Sequence, residues 1–276
     1  MNVPPMTPEG IPTPAIITRA SLERIGVRVM VVDAGLATNP QVPFFSCNLG
    51  ASRDPSVERA LPEFHKAMEF GKYIGSLISG YRAVFIGESV PGGTTTAQAV
   101  MNCLGNDFNT SSSLPHNPDM EKLKIISKAQ QRVGNSELDA EQCIVEYGDY
   151  MMPVALGISR SLRDNTVVYC GGTQMANVFD LDRRVNQPTG KRYVATTRWV
   201  MEHRPEIMKR LVGTENVIVS KINFSTMPQQ GLREYENGHV REGAGMGGAF
   251  ALYSIIDGNM PGLYNEISRL YDRLKS

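Results

Sequence analysis

Neither sign of charge dominates this sequence: Lys plus Arg and Asp plus Glu both number 28 among 276 residues, and the chain is formally neutral. A nucleic-acid surface asks for a basic excess and a polybasic membrane patch for clustered Lys and Arg. Both partner classes are therefore excluded, and small-molecule ligands are expected. Cysteine is scarce and lacks C-x-x-C spacing; Cys47, Cys103, Cys143 and Cys170 lie in apolar surroundings and read as buried thiols of a reducing cytosol rather than disulfides or zinc ligands. His65, His116, His203 and His239 are scattered, so no metal cluster is expected. No apolar run approaches membrane length. The proline-rich start (Pro4, Pro5, Pro8, Pro12, Pro14) lacks the apolar core of a signal peptide, so a cytoplasmic protein is expected. Two familiar glycine loops are also missing: no Lys follows the glycines as in a Walker loop, and no G-x-G-x-x-G occurs. A mononucleotide or sugar phosphate is favoured over ATP or NAD.

What is present centres on Ala83 to Leu104, AVFIGESVPGGTTTAQAVMNCL, which joins strand, glycine loop and helix start. Ala83 to Ile86 is an apolar run suited to a buried parallel strand, and chemistry in such sheets sits where strands leave the sheet. Gly92 and Gly93 after Pro91 let backbone N–H groups approach a ligand, Thr94, Thr95 and Thr96 supply caps and hydroxyls, and the following helix start favours an anion. A plain strand-to-helix turn would have the same composition. Glu88 argues against that reading, because a carboxylate beside a phosphate site calls for a task such as taking a proton or holding a ribose hydroxyl.

Around this centre strands and helices alternate. AIITRASLERIG reads as a helix feeding the buried strand VRVMVVDAG, which ends in Asp33-Ala34-Gly35, and Ala37 to Pro55 is a loop that could wall a pocket. Val57 to Ser79 reads as an amphipathic helix or helix pair with Ala60, Phe64, Ala67, Met68 and Gly71 on its core stripe. Gly105 to Pro118 is a polar loop, and Asp119 to Val133 a helix with Asp119 as its cap. Lys122 and Lys124 near its start are either a solvated face or the partners of an anion. Glu141 to Arg163 is a second long helical pattern, interrupted at Gly148 and Pro153. TVVYCGG repeats the strand-then-glycine unit at Gly171 and Gly172, and Thr173 to Val185 follows as a helix. Strands are expected at Arg192 to Thr197 and Asn216 to Phe224, with Trp199 a packing residue. In GHVREGAGMGGAFALYSII, glycines including Gly245 and Gly247 precede an apolar helix, and Arg241 and Glu242 suggest a second ligand-facing edge. A last helix, Pro261 to Leu274, is apolar on one face. This rhythm predicts a mostly parallel sheet covered on both faces, with residues 1–276 forming one domain.

Together the motifs resemble those of the nicotinate-nucleotide:dimethylbenzimidazole phosphoribosyltransferase family, particularly archaeal and cyanobacterial relatives. GESVPGGTTTA is similar to the family's G-E-x-x-x-G-x-T-T phosphate loop, VVDAG to its V-V-D-x-G strand end, and GHVREGAGMGGAFAL to its R-x-G-E-G-x-G helix start, in the same order and spacing. The resemblance implies a Rossmann-like α/β fold with a small helical subdomain contributed by both chain ends, no cofactor, and a homodimer. It implies phosphoribosyl transfer from nicotinate mononucleotide to a benzimidazole-type base, giving the lower-ligand nucleotide of cobamides. Another acceptor base, or a non-catalytic nucleotide-binding homologue, are the alternatives. Carried over by position, Glu88 matches the family's acidic residue, Thr94 and Thr95 its threonine pair at the phosphate, and Lys122 or Lys124 its phosphate-binding lysine. Gly92, Gly93, Thr96, Gly171, Gly172, Gly245 and Gly247 complete the expected nucleotide-binding set, and Asp33, Gly35 and Arg241 the substrate pocket. The family's general-base glutamate aligns with Ala244, and Glu242 is the nearest substitute; in an extended segment residues two apart share a side. The family also carries a strand and helices ahead of the segment matching Thr13, where this chain has its proline-rich lead.

Overall fold

A computed structural model describes residues 6–7, 10–110 and 118–275. The chain forms α1 (Ala15–Ile25), β1 (Val31–Asp33), β2 (Phe44–Ser46), α2 (Phe64–Leu77), β3 (Ala83–Gly87), α3 (Gly93–Cys103), α4 (Asp119–Val133), α5 (Ala140–Tyr147), α6 (Met151–Ser161), β4 (Thr166–Cys170) and α7 (Thr173–Val185). It continues through β5 (Arg192–Thr197), α8 (Arg198–His203), the short α9 (Pro205–Ile207) with a wide turn at Met208–Val212, β6 (Val217–Ser220), α10 (Gln230–Arg233), α11 (Met246–Ile256) and α12 (Met260–Lys275). Strands β3-β4-β5-β6 lie side by side in that order, all parallel, with Gly87 opposite Cys170 and Cys170 opposite Ala195.

The expected α/β sheet with both faces covered is what forms, and chain order explains how. Right-handed crossovers between strands placed consecutively put every connecting helix on one face. That face carries Val167, Tyr169 and Val194, in one core with α2, α3, α6 and α7. Val168, Cys170 and Ala195 point the other way. There α11 lies across the strands, and α1 and α12 pack on it around Trp199, Phe224 and Tyr235. The two ends of the chain thus supply the second layer. Helices α2 and α6 cross at very short range: a Cβ on Gly71 would stand 2.2 Å from Val154 O, and one on Gly157 2.2 Å from Met68 O.

Several local expectations change. The strand predicted over VRVMVVDAG shortens to Val31–Asp33 and pairs with β2, which lies inside the expected loop, in a sheet of its own; Val29 is 61% exposed. Helix α2 starts at Phe64 rather than near Val57, since Pro62 disfavours helical backbone at the residue before it. Asp119 lies in the first turn of α4, whose cap position is Pro118. The second long helix breaks at Gly148, whereas Pro153 is tolerated in the first turn of α6. The expectation that all the cysteines are free thiols is overturned: Cys103 and Cys143, 40 residues apart in sequence, form a disulfide between the end of α3 and α5. Linear spacing cannot show such a pair, which arises because α3 packs on α5. Cys47 and Cys170 are free. Residues 111–117 of the polar loop, with His116, and Pro4, Pro5 and Pro8 of the lead fall outside the described residues. Among the described residues no helix is long and apolar enough to cross a membrane.

Candidate functional site

The C-terminal edge of the large sheet collects the motifs from both halves of the chain. β3 ends at Gly87, and Glu88 follows; β4 ends at Cys170 before Gly171 and Gly172; β5 ends at Thr197, whose hydroxyl donates to the Arg241 carbonyl at 2.6 Å. The late glycine segment is thereby pinned over the strand ends. It approaches β3 so closely that a Cβ on Gly87 would stand 3.1 Å from Gly245 Cα.

Glu88 and Glu242 meet on this edge. The Val90 amide donates to Glu88 Oε2 at 3.1 Å, while the other Glu88 oxygen faces Gly171, where a Cβ would lie 3.5 Å from it. Glu242 Oε1 accepts from the Gly243 and Gly247 amides, each at 3.1 Å, and Oε2 is buried with no partner among the described residues. Gly172 borders the Glu242 side chain, and a Cβ on Gly247 would stand 2.7 Å from Oε2. Gly171 thus borders Glu88, Gly172 and Gly247 border Glu242, and Gly245 instead lets the segment close on Gly87 and Cys170. Burial pushes Glu242 up to about 8, reinforced by the Glu88 charge and opposed by its amide donors. Burial likewise lifts Glu88 to about 7, with the Val90 amide pulling down and Asp149 pushing up.

The extended backbone expected around Glu242 is absent: Val240, Gly243, Ala244 and Gly245 all have positive φ. The segment coils, and Glu242 reaches the edge by folding back on the start of α11. Ala244 has φ +50°, and its carbonyl accepts from the Thr18 hydroxyl at 2.9 Å.

Asp149, which the sequence motifs did not mark, is the third carboxyl group here. It sits 4% exposed in the corner between α5 and α6, accepts from Thr96 Oγ1 at 2.5 Å, and keeps Oδ1 buried without a partner among the described residues. Burial raises it to about 6, offset in part by Thr96 and by amides at the start of α6. Its one clue in sequence is an acid between two apolar helices.

In the loop, Gly92 has φ +76° at the N-cap of α3, with open space beside it, and Gly93 abuts the buried Gln174 amide, whose Nε2 lacks a partner among the described residues. The Thr95 amide is tied to Gly92 O at 2.8 Å and Thr94 O accepts from the Thr110 hydroxyl at 2.7 Å, so the turn is held from within and from the following loop. The structure separates the two lysines: Lys122 is 3% exposed and Nζ donates to Thr110 O and Oγ1 at 3.1 and 3.0 Å, while Lys124 faces solvent. Burial lowers Lys122 to about 8; Asp119 opposes the shift and Arg204 adds to it. Arg241 is buried, and burial together with Arg204 lowers its pKa.

Asp33 and Gly35 lie apart, in the small sheet. Asp33 accepts from the Gly35 and Leu36 amides at 2.8 and 2.6 Å and from the Ser46 hydroxyl at 2.6 Å. Burial opposes its ionisation, but these donors outweigh it and hold its pKa low. Gly35 is needed there because a Cβ would stand 2.3 Å from Gly50 O. Their geometry is that of a clasp, with Asp33 Oδ1 occupied inside the turn and Oδ2 by Ser46 of β2. Among the described residues no group of three or more His, Cys, Asp or Glu is placed to hold a metal.

Known proteins resemble this chain at two levels. No protein-family model matches it. The UPF0284 protein of Thermoplasma volcanium is 42% identical over 272 residues, covering 98% of this chain and 79% of its own length. That of Thermoplasma acidophilum is 44% identical over 253 residues, covering 91% and 72%. The one from Thermococcus kodakarensis is 36% identical over 278 residues, covering 98% and 83%. Among solved structures, nicotinate-nucleotide-dimethylbenzimidazole phosphoribosyltransferase from Thermus thermophilus matches with a TM-score of 0.58 and 14% identity, over 92% of this chain and 71% of the other. CobT from the same organism matches with a TM-score of 0.60 and 14% identity, over 94% and 75%. At that identity the likeness is one of fold.

Proposed function

The chain belongs to the UPF0284 family, and for it we propose phosphoribosyl transfer from nicotinate mononucleotide to a benzimidazole-type base, yielding α-ribazole phosphate. The observation that carries the reading is the meeting of Glu88 and Glu242 at the mouth of a glycine loop, each shifted toward neutral pH. Proton transfer at a ring nitrogen needs a base of that strength.

In the reaction the ribose C1′ to nicotinate nitrogen bond breaks, with its electron pair leaving on nicotinate. A new bond forms from C1′ to a benzimidazole nitrogen, and the ring N–H proton passes to a carboxylate. Glu242, with a free inward oxygen, takes that proton. Glu88 orients the ribose hydroxyls and stabilises positive charge developing at C1′. The Gly92 and Thr94 amides at the start of α3, which the turn itself leaves available, and the buried Lys122 hold the phosphate. The substrates are small molecules, and the partner copy of an expected homodimer has no step in this scheme.

Mass analysis of products after incubation with nicotinate mononucleotide and a panel of dimethylbenzimidazole, adenine and phenol tests the reading and names the acceptor. Ala244 at the family's glutamate position favours a second reading, a non-catalytic nucleotide-binding protein. Binding of nicotinate mononucleotide without transfer to any acceptor would establish it.

A further inference from the structure

The segment after α8 brings a residue to this edge that no motif marked. The Arg204 amide bonds to Val200 O at 2.8 Å, and Val200 itself borders Gly172 beside Glu242. One turn earlier Thr197 grips Arg241. Pro205 then ends α8, and Arg204 leaves the helix with φ −138° and ψ 55°. From the other side, Arg210 lies over the Phe108 ring at 5.3 Å, which draws this segment against the loop holding Thr110, the residue to which Lys122 donates. The segment carrying Arg204 is thereby tied on one side to Arg241 and on the other to the loop that Lys122 grips. Burial is the main cause that lowers Arg241, Lys122 and His203, and the charge of Arg204, within electrostatic range of all three, adds to it.

Arg204 is the unsatisfied member. Its Nε is shut off from solvent without a hydrogen-bond partner among the described residues. Guanidinium groups carry donors alone and fit tetrahedral and planar oxyanions in a fork. We infer that Arg204 is an anion ligand which, with Arg241 and Lys122, binds a phosphate monoester dianion at the end of β5. A dianion relieves the repulsion among the cations more fully than a single carboxylate does, since the attraction scales with charge. Asp119 lies near Lys122 and His203, and Glu206 near His203, so of the three cations Lys122 has an acidic neighbour that tempers it. The inference rests on the nucleotide reading above only for the source of the phosphate.

Calorimetry of the full chain with inorganic phosphate, nicotinate mononucleotide and free nicotinate, at one ionic strength, tests it. Arg204→Gln should weaken phosphate and mononucleotide about ten- to hundredfold and leave nicotinate unchanged. Arg204→Lys, which keeps charge but loses the fork, should fall between. Its result also serves if the Gln variant fails to fold. Wild-type phosphate affinity in both variants overturns the inference, as does a loss confined to nicotinate, which would make the site a carboxylate pocket. Loss of phosphate binding in Arg204→Gln, in a protein that transfers nothing, upholds the anion site and sinks the transferase reading. Transfer by the wild type with phosphate affinity indifferent to residue 204 does the reverse.

Discussion

Thr96 Oγ1 stands 2.5 Å from Asp149 Oδ2 and 3.0 Å from Gly93 O, so one hydroxyl proton faces two acceptors. Ionised Asp149 accepts that proton, and protonated Asp149 donates to Thr96 and frees the hydroxyl to donate to Gly93 O. Asp149 ionises as pH rises past about 6, and the Gly93 carbonyl then loses its donor. An Asn at 149 donates permanently. Asp149→Asn should therefore hold mononucleotide affinity steady across pH 5 to 8, while Asp149→Ala weakens it about tenfold. Titration calorimetry at several pH values checks both. Equal affinities for the two variants would sink the assignment.

The base role of Glu242 predicts a pH profile. The carboxylate must be ionised to accept a proton, so kcat/KM should climb with pH and level off above about 8. In Glu242→Gln the rate should drop about a hundredfold or more, with mononucleotide binding retained. A residual rate still climbing toward pH 8 in that variant would move the role to another group.

Stability should run the other way. Glu88 and Glu242 have folded-state values of about 7 and about 8, above their ordinary 4.5, so the folded chain holds their protons more tightly than the unfolded chain does. Nothing is lost below about pH 4, and stability declines as pH rises through 7 and 8. Glu242→Gln should therefore stabilise the protein at pH 8.5, on the order of 2 kcal/mol, and barely at pH 4.5. Denaturant melts at the two pH values measure this.

The two lysines should part company. Lys122→Met removes a buried cation bonded to Thr110 and should weaken mononucleotide binding at least tenfold. Lys124→Met, at an exposed position, should leave it unchanged. Identical losses would mean that the effect is one of general charge.

The Cys103–Cys143 link closes a 40-residue span containing α4. Opening it should cost roughly 2–4 kcal/mol. Thermal melts with and without reductant, and a thiol count of two in the unreduced, unfolded protein, report on it. A count of four would remove the disulfide.

Helices and strands that carry their own punctuation were legible. β4, α7 and β5 occupy the expected residues, because strand composition, glycine ends and helical period act within a few residues of one another. The same holds for the glycine loop and for Glu88 at the end of β3. Val27 to Gly35 was less legible: its apolar composition suits a strand, but composition does not say which sheet a strand joins.

The amino-acid order by itself determined the alternating α/β layout and the motifs of the sheet edge, since each depends on local sterics and periodicity. Tertiary structure decided which groups meet there. Asp149 reaches Thr96 across 53 residues, Lys122 rather than Lys124 turns inward, and the Cys103–Cys143 pair forms. Glu242 comes to the edge through a coil of positive-φ residues rather than an extended strand, and Arg204 arrives at the end of a helix stopped by Pro205. Desolvation and the field of neighbouring charges exist only once distant segments are packed together, and they are what set the shifted acids and the buried cations of this site.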